Sequence, residues 1–179
     1  MQDHKMTKAI QGLLEEMRRC EAGKAYGAAA AMGFIIIDTL AFLSMPANQS
    51  KQYKEDFFEW VNRYLKADES SPYQYNGLDV YAARCALLHA YGSEAEFHRQ
   101  DPTIKQFGYH NGTGHRFNPE ESESLVLIGI ISFEVDLGNA LIRFKEAMKT
   151  DEELRKRVAA RLPNISRTLP ISSLIGSNI

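Results

Sequence analysis

Cysteine is nearly missing from this 179-residue chain, which holds two, Cys20 and Cys85. They lie far apart in helix-prone stretches, which excludes a disulfide framework and fits a reducing compartment. Proline is sparse, at six residues, so long helices can run without interruption. An excess of one charge is lacking too. A net charge of −2 gives no global pull on nucleic acid or acidic membranes, so any anion site must be local. The opening residues, Met1-Gln2-Asp3-His4-Lys5, show no charged leader followed by an apolar core and a small-residue cleavage site. These features predict a cytoplasmic protein.

Hydrophobic runs free of charge are also wanting. Ala25 to Met45 carries Asp38, and Leu125 to Ile142 carries Glu134 and Asp136. A carboxylate near the centre of a span is costly in lipid, and neither segment has an aromatic belt with asymmetric basic flanks. Both predict buried core helices and no membrane association. Basic residues gather late: Arg143 to Ile179 holds eight Lys/Arg against four acids. That pattern reads as a solvated helix face, with an RNA-phosphate surface as the alternative.

Helical periodicity runs nearly throughout. Met6, Ile10, Leu13, Leu14 and Met17 recur at three- and four-residue steps. A second helix spans about residues 24–44, and its Gly23, Gly27 and Ala31 form a smooth stripe for close approach of another helix. A third follows from about Ser50, with Tyr53, Phe57, Trp60, Val61 and Tyr64 on one face. The next begins near Gly77 and ends around Tyr91-Gly92, where glycine can take the left-handed conformation. Residues 93–117 break the pattern: Ile104 to Tyr109 and His115 to Phe117 predict a short hairpin or ordered loop around Asn111-Gly112-Thr113-Gly114. Asn118-Pro119-Glu120-Glu121 predicts the start of a helix reaching about Lys149. Thr150-x-x-Glu153 has the form of a capping box for a last short helix. The fold class expected is all-α: a five- to six-helix bundle over residues 1–162, with a β-hairpin or loop insertion around 93–117 and a loosely held tail over 163–179.

The chemistry concentrates in Asp79-Val80-Tyr81-Ala82-Ala83-Arg84-Cys85-Ala86-Leu87-Leu88-His89. An arginine on an apolar helix needs an anionic partner or a surface, because burying an unpaired charge is costly. Arginine with histidine also supplies the minimum for handling a phosphodiester, a permanent cation and a group that titrates near neutrality. On an ideal helix Arg84 and His89 differ by about 140°. They converge if the helix ends or distorts near His89, or if two copies meet across a two-fold axis. Tyr81, Cys85 and His89 do share a face, but nothing local activates the thiol as a nucleophile, and a cysteine there reads as a small hydrophobe. As structural residues, Arg84 would pair with Asp79 or Asp38. Asp38, Glu134 and Asp136 would serve as partners for Arg84, a tyrosine or helix packing, or as carboxylic acids with raised pKa.

Residues 84–89, Arg-Cys-Ala-Leu-Leu-His, resemble the signature of the HEPN superfamily, small helical bundles with an arginine and a histidine about four to six residues apart. The resemblance covers this motif and the general layout of helices over about residues 5–150. It implies a metal-independent endoribonuclease acting as a homodimer, with no cofactor. Arg84 would hold the scissile phosphate and His89 would assist proton transfer during attack by the RNA 2′-hydroxyl. Where active members commonly carry a polar residue after the arginine, this chain has Cys85. Other members are non-catalytic binding or regulatory modules that take a protein partner, and that reading stands beside the first. His98, His110 and His115, with Glu94, Glu96 and Asp101 nearby, fit no metal-ligand spacing and read as surface or hairpin histidines.

Overall fold

The apolar helix expected between Ala25 and Met45 is the axis of the molecule. In the computed structural model, which describes residues 2–165, it runs Tyr26–Ser44 as α2, after α1 (Gln2–Ala22). The helices α3 (Lys54–Tyr64), α4 (Gly77–Ala90), α6 (Ile130–Thr150) and α7 (Glu152–Arg161) all pack on α2, as does α1. Ala29, Ala30, Phe34, Ile36, Ile37, Leu40 and Leu43 of α2 are fully buried, which is why this stretch needs no polar face. Among the described residues it is the one helix long and apolar enough to cross a membrane by length and composition, and half of it is covered by the rest of the chain. The remaining elements are a short helix α5 (Glu96–Gln100), strands β1 (Gln106–His110) and β2 (Leu125–Gly129), and a 3-10 turn at Leu162–Asn164. Of the expected tail, residues 166–179 lie outside the described residues.

Local chemistry sets the helix ends. The Asp56 carboxylate accepts from Tyr53 N–H at 2.7 Å and starts α3. Asp151, rather than the expected Thr150, caps α7 by accepting from Leu154 N–H at 2.8 Å. At the other ends, arginines from the basic C-terminal stretch satisfy orphan carbonyls. Arg143 donates to Tyr64 O at 2.9 Å, Arg157 to Ser44 O at 3.0 Å and Arg161 to Pro46 O at 2.7 Å. Part of the late basic cluster thus closes α2 and α3, and Lys149, Arg155 and Lys156 form surface pairs with Glu146, Glu152 and Glu153.

The insertion differs from expectation. β1 forms, but its partner is β2, in parallel register with Phe107 opposite Val126 and Tyr109 opposite Ile128. The expected return strand reduces to a single antiparallel bridge between Arg116 and Leu127. Residues 118–129 therefore do not begin the long helix. Asn118 instead closes a turn, its side chain accepting from Glu120 N–H at 3.1 Å, and α6 starts at Ile130. An unbroken apolar run such as Leu125 to Ile131 suits strand or helix equally in sequence. Strand wins because alternation buries Val126 and Ile128 against Phe107 while Leu125 and Leu127 face outward.

Gly23 lies in the turn after α1, beside Lys24 at φ 58°, so the expected glycine stripe is shorter than α2. A Cβ on Gly27 would collide with the Tyr91 hydroxyl, so the cover there is one tyrosine ring rather than a helix.

Gly129 separates the two readings of residues 122–129. A Cβ there would collide with the backbone oxygens of Gly112 and Gly114. Gly129→Ala should lower the unfolding free energy by about 1–3 kcal/mol in urea titration. In a helix, the same change would raise it by about 0.5–1 kcal/mol.

Candidate functional site

Helix α4 carries the Arg84/His89 motif, and its first turn is firmly tied. Asn76 caps it, accepting from Leu78 N–H at 2.8 Å, and Gly77 N–H donates to Asn62 Oδ1 at 2.7 Å. Gly77 sits so close to the Phe58 backbone that no Cβ fits. Val80, Ala82, Ala83, Ala86 and Leu87 bury the core side. The helix closes one residue past His89: Tyr91, at φ 49° and ψ 38°, takes the left-handed conformation, and Gly92 N–H bonds Ala86 O at 3.1 Å. The left-handed residue is therefore Tyr91 rather than the expected Gly92. Its ring lying over Gly27 accompanies a conformation that L side chains disfavour.

Within this one chain Arg84 and His89 come together. Arg84 Nη1 lies 3.2 Å from His89 Nε2, and Arg84 Nε donates to Asp38 Oδ2 at 2.9 Å. A guanidinium has no acceptor atom, so in this contact His89 Nε2 is the acceptor. The thiol of Cys85 lies 4.0 Å from Arg84 Nη1. The Tyr81 ring centroid is 6.0 Å from the guanidinium carbon, and that ring is wedged between Phe57, Phe58 and Phe97. The side chains of Arg84 and Asp38 are 23% and 26% exposed, and His89 is exposed outright. The three form a row from half-buried carboxylate to open imidazole, with Arg84 between.

The two ends of the ion pair balance differently. At Asp38, burial lifts the carboxyl above its ordinary range, although Arg84 and then His89 pull it back. At Arg84, burial opposes the charge, yet Asp38 outweighs it and the guanidinium rises further. Arginine stays protonated in either case, so proton exchange in this pair belongs to the carboxyl.

Asp79, the other sequence candidate, does not reach Arg84. Its Oδ1 accepts from Lys105 N–H at 2.9 Å and its Oδ2 from the Tyr73 hydroxyl at 3.4 Å, tying α4 to the start of β1. Glu134 pairs with Arg18 at 2.6 Å. Asp136 meets a tyrosine: its Oδ2 lies 3.2 Å from the Tyr75 hydroxyl and 2.9 Å from His115 Nε2, which is itself 2.7 Å from that hydroxyl.

The reading of His98 and His115 as surface or hairpin histidines is corrected, for both are buried. His98 Nδ1 accepts from Ala95 N–H and its Nε2–H donates to Lys105 O. His110 likewise accepts from Gly112 N–H and donates to Gly114 O. Neither ring has a lone pair left for a metal. His115 fills the triangle with Tyr75 and Asp136, and its Nδ1 is buried without a partner. Burial first, and Asp136 next, hold the Tyr75 hydroxyl well above its ordinary pKa. This buried triangle was missed in the sequence; its one signal was the carboxylate at position 136 in an apolar run. Among the described residues, no three His, Cys, Asp or Glu side chains gather in a metal-binding group. A cavity of about 40 Å³ lies elsewhere, lined by Trp60, Tyr64 and Arg157 among others, and has room for about one water molecule.

Compared with known proteins, the chain matches no family model, no curated protein and no solved structure.

Asp79 yields a pH test of the tether. Burial lifts its carboxyl above the ordinary range, with Lys105 and Tyr73 acting against that shift. The folded state then holds this proton more tightly than the unfolded one. The resulting stability is present below the unfolded value, about pH 4, and is lost as pH rises through the higher folded value. Asp79→Asn should therefore flatten the fall in melting temperature from about pH 4 upward, as read by calorimetry. An unchanged slope would remove Asp79 as its source.

Proposed function

We propose that this protein is an HEPN-like, metal-independent endoribonuclease of the cytoplasm that acts on RNA through Arg84 and His89. The observation that carries the reading is the 3.2 Å approach of Arg84 Nη1 to Nε2 of the exposed His89. A cation fit for phosphate oxygens and a proton acceptor thus sit side by side at a surface. Among the described residues no acceptor meets Arg84 Nη2, which leaves its donors for a phosphate. Asp38 fixes the guanidinium from behind.

In the step this arrangement supports, a phosphate oxygen takes over Arg84 Nη1, which frees the His89 Nε2 lone pair to take the proton of a 2′-hydroxyl. The 2′-oxygen bonds to phosphorus, the bond from phosphorus to the 5′-oxygen breaks, and the leaving oxygen takes a proton from water. The products are a 2′,3′-cyclic phosphate and a 5′-hydroxyl. Arg84 neutralises the charge that grows on the phosphoryl oxygens.

A second reading rests on the other bond of Arg84. Its Nε–Asp38 contact at 2.9 Å, and Cys85 where a polar residue is usual, suit a non-catalytic HEPN-like module in which the arginine joins α4 to α2 and the surface serves a protein partner.

Point variants separate the two. His89→Ala should reduce RNA cleavage by about 10²–10⁴-fold and leave the melting temperature nearly unchanged, because His89 is exposed. Arg84→Ala should abolish cleavage, weaken RNA binding and cost about 1–3 kcal/mol by leaving Asp38 unpaired. Cleavage should persist in EDTA. Wild-type protein that cleaves no RNA, with Arg84→Ala strongly destabilised, would favour the module.

A further inference from the structure

Two of the described residues take a left-handed backbone without being glycine, Lys24 at φ 58° and Tyr91 at φ 49°. Each stands next to a glycine, Gly23 or Gly92, that does not take this conformation. A bulky side chain there carries strain, and strained positions of this kind gather at ligand clamps. Both belong to one end of the α2–α4 pair, for Gly27, three positions after Lys24, is the seat of the Tyr91 hydroxyl. The ring rests on that glycine by its hydroxyl end and is 74% exposed. Among the described residues it is the most open of the large apolar or aromatic side chains. Burial therefore gives little reason for a tyrosine at this position.

Its place in the fold ties Tyr91 to the Arg84 site. Gly27 and Asp38 are eleven residues apart on α2, a net rotation of about 20° and a rise of about 16 Å. They share one flank of α2, and α4 runs antiparallel along it, with Arg84 bound to Asp38 and Tyr91 seated on Gly27. His89, which meets Arg84 at 3.2 Å, stands two residues before Tyr91.

We propose that Tyr91 is a stacking platform for an unpaired base of the RNA strand whose phosphate Arg84 holds. The inference rests on the nuclease reading and narrows its substrate to single-stranded RNA read with little preference for base. Charge and shape select this occupant. Arg84 offers a guanidinium to a phosphate, Lys24 adds an exposed cation at the Gly27 end, and Tyr91 supplies an open aromatic face. Every base has a π-face, so such stacking tolerates sequence. In a duplex the bases are stacked on one another and do not reach the ring.

The test is binding of the full chain to a short, labelled 2′-O-methyl RNA of mixed sequence, which lacks the attacking hydroxyl and stays whole. Fluorescence anisotropy is read for the single strand and for the same sequence as a duplex. Wild type should bind the single strand more tightly. Tyr91→Gly should weaken single-strand binding by about 5- to 150-fold, the effect expected of one stacked base, and leave duplex binding unchanged. Tyr91→Phe and Tyr91→Trp should keep most of the affinity. On cleavable RNA, Tyr91→Gly should raise KM by the same factor with kcat unchanged. Because glycine suits this backbone, its melting temperature should be no lower than that of wild type. Lost binding joined to a fall in melting temperature would make the tyrosine structural and overturn the platform. So would single-strand binding that Arg84→Ala weakens and Tyr91→Gly does not; the nuclease reading then stands, and the ring is left for a protein partner. Wild type that binds single strands through Tyr91 yet cleaves no RNA sinks the nuclease reading and keeps the platform. Binding to neither RNA overturns both.

Discussion

Helix α2 must be apolar on nearly every side because five other helices pack on it, yet it carries one carboxylate. That carboxylate, Asp38, falls on a flank that remains partly open, and an ionised group there needs a cation. Arg84 is that cation. Its placement fixes the rotation of α4 about its own axis and the angle at which α4 leaves α2, and so directs His89 to the surface. Replacing the pair by apolar residues would cost little in a core of this kind. Removing one member leaves the other stranded, and this asymmetry makes the pair a positional constraint more than a source of stability.

Two other polar clusters act on the far end of the same helix. Asp79, in the first turn of α4, is joined to Tyr73 and to the backbone of Lys105. Tyr75, just before the helix, is joined to His115 and Asp136. These clusters are closed to water, whereas Asp38, Arg84 and His89 are not. One end of α4 is thus held by buried hydrogen bonds, and the other presents hydrogen-bonding groups to solvent. A rigid helix with one free polar end suits a site whose parts must stay in place when an anion arrives.

Much of this was legible in the sequence where contacts are local or patterned. The helices α1 to α4 follow from three- and four-residue periodicity, and Asp38 was among the partners expected for Arg84. The convergence of Arg84 and His89 comes in a helix that stops at position 90, which Gly92 suggested although Tyr91 adopts the left-handed turn. The long-range features were not legible. Leu125 to Gly129 reads as helix until Phe107 and Tyr109 are placed beside it, and His115 reads as a loop residue until Tyr75 and Asp136 enclose it. In each case the deciding partner lies tens of residues away, and one chain gives no signal of which distant side chains will meet.

The Tyr75–His115–Asp136 triangle has a further consequence, for the order in which the chain folds. The α1–α2 and α3–α4 pairings join neighbours in sequence and close short loops. The triangle joins positions 40 and 61 residues apart, and the parallel β1–β2 ladder also needs a long connection. Loop closure must be completed before such contacts return any free energy. The helical hairpins therefore assemble first, and the 93–129 segment docks last, when Asp136 gains both its partners.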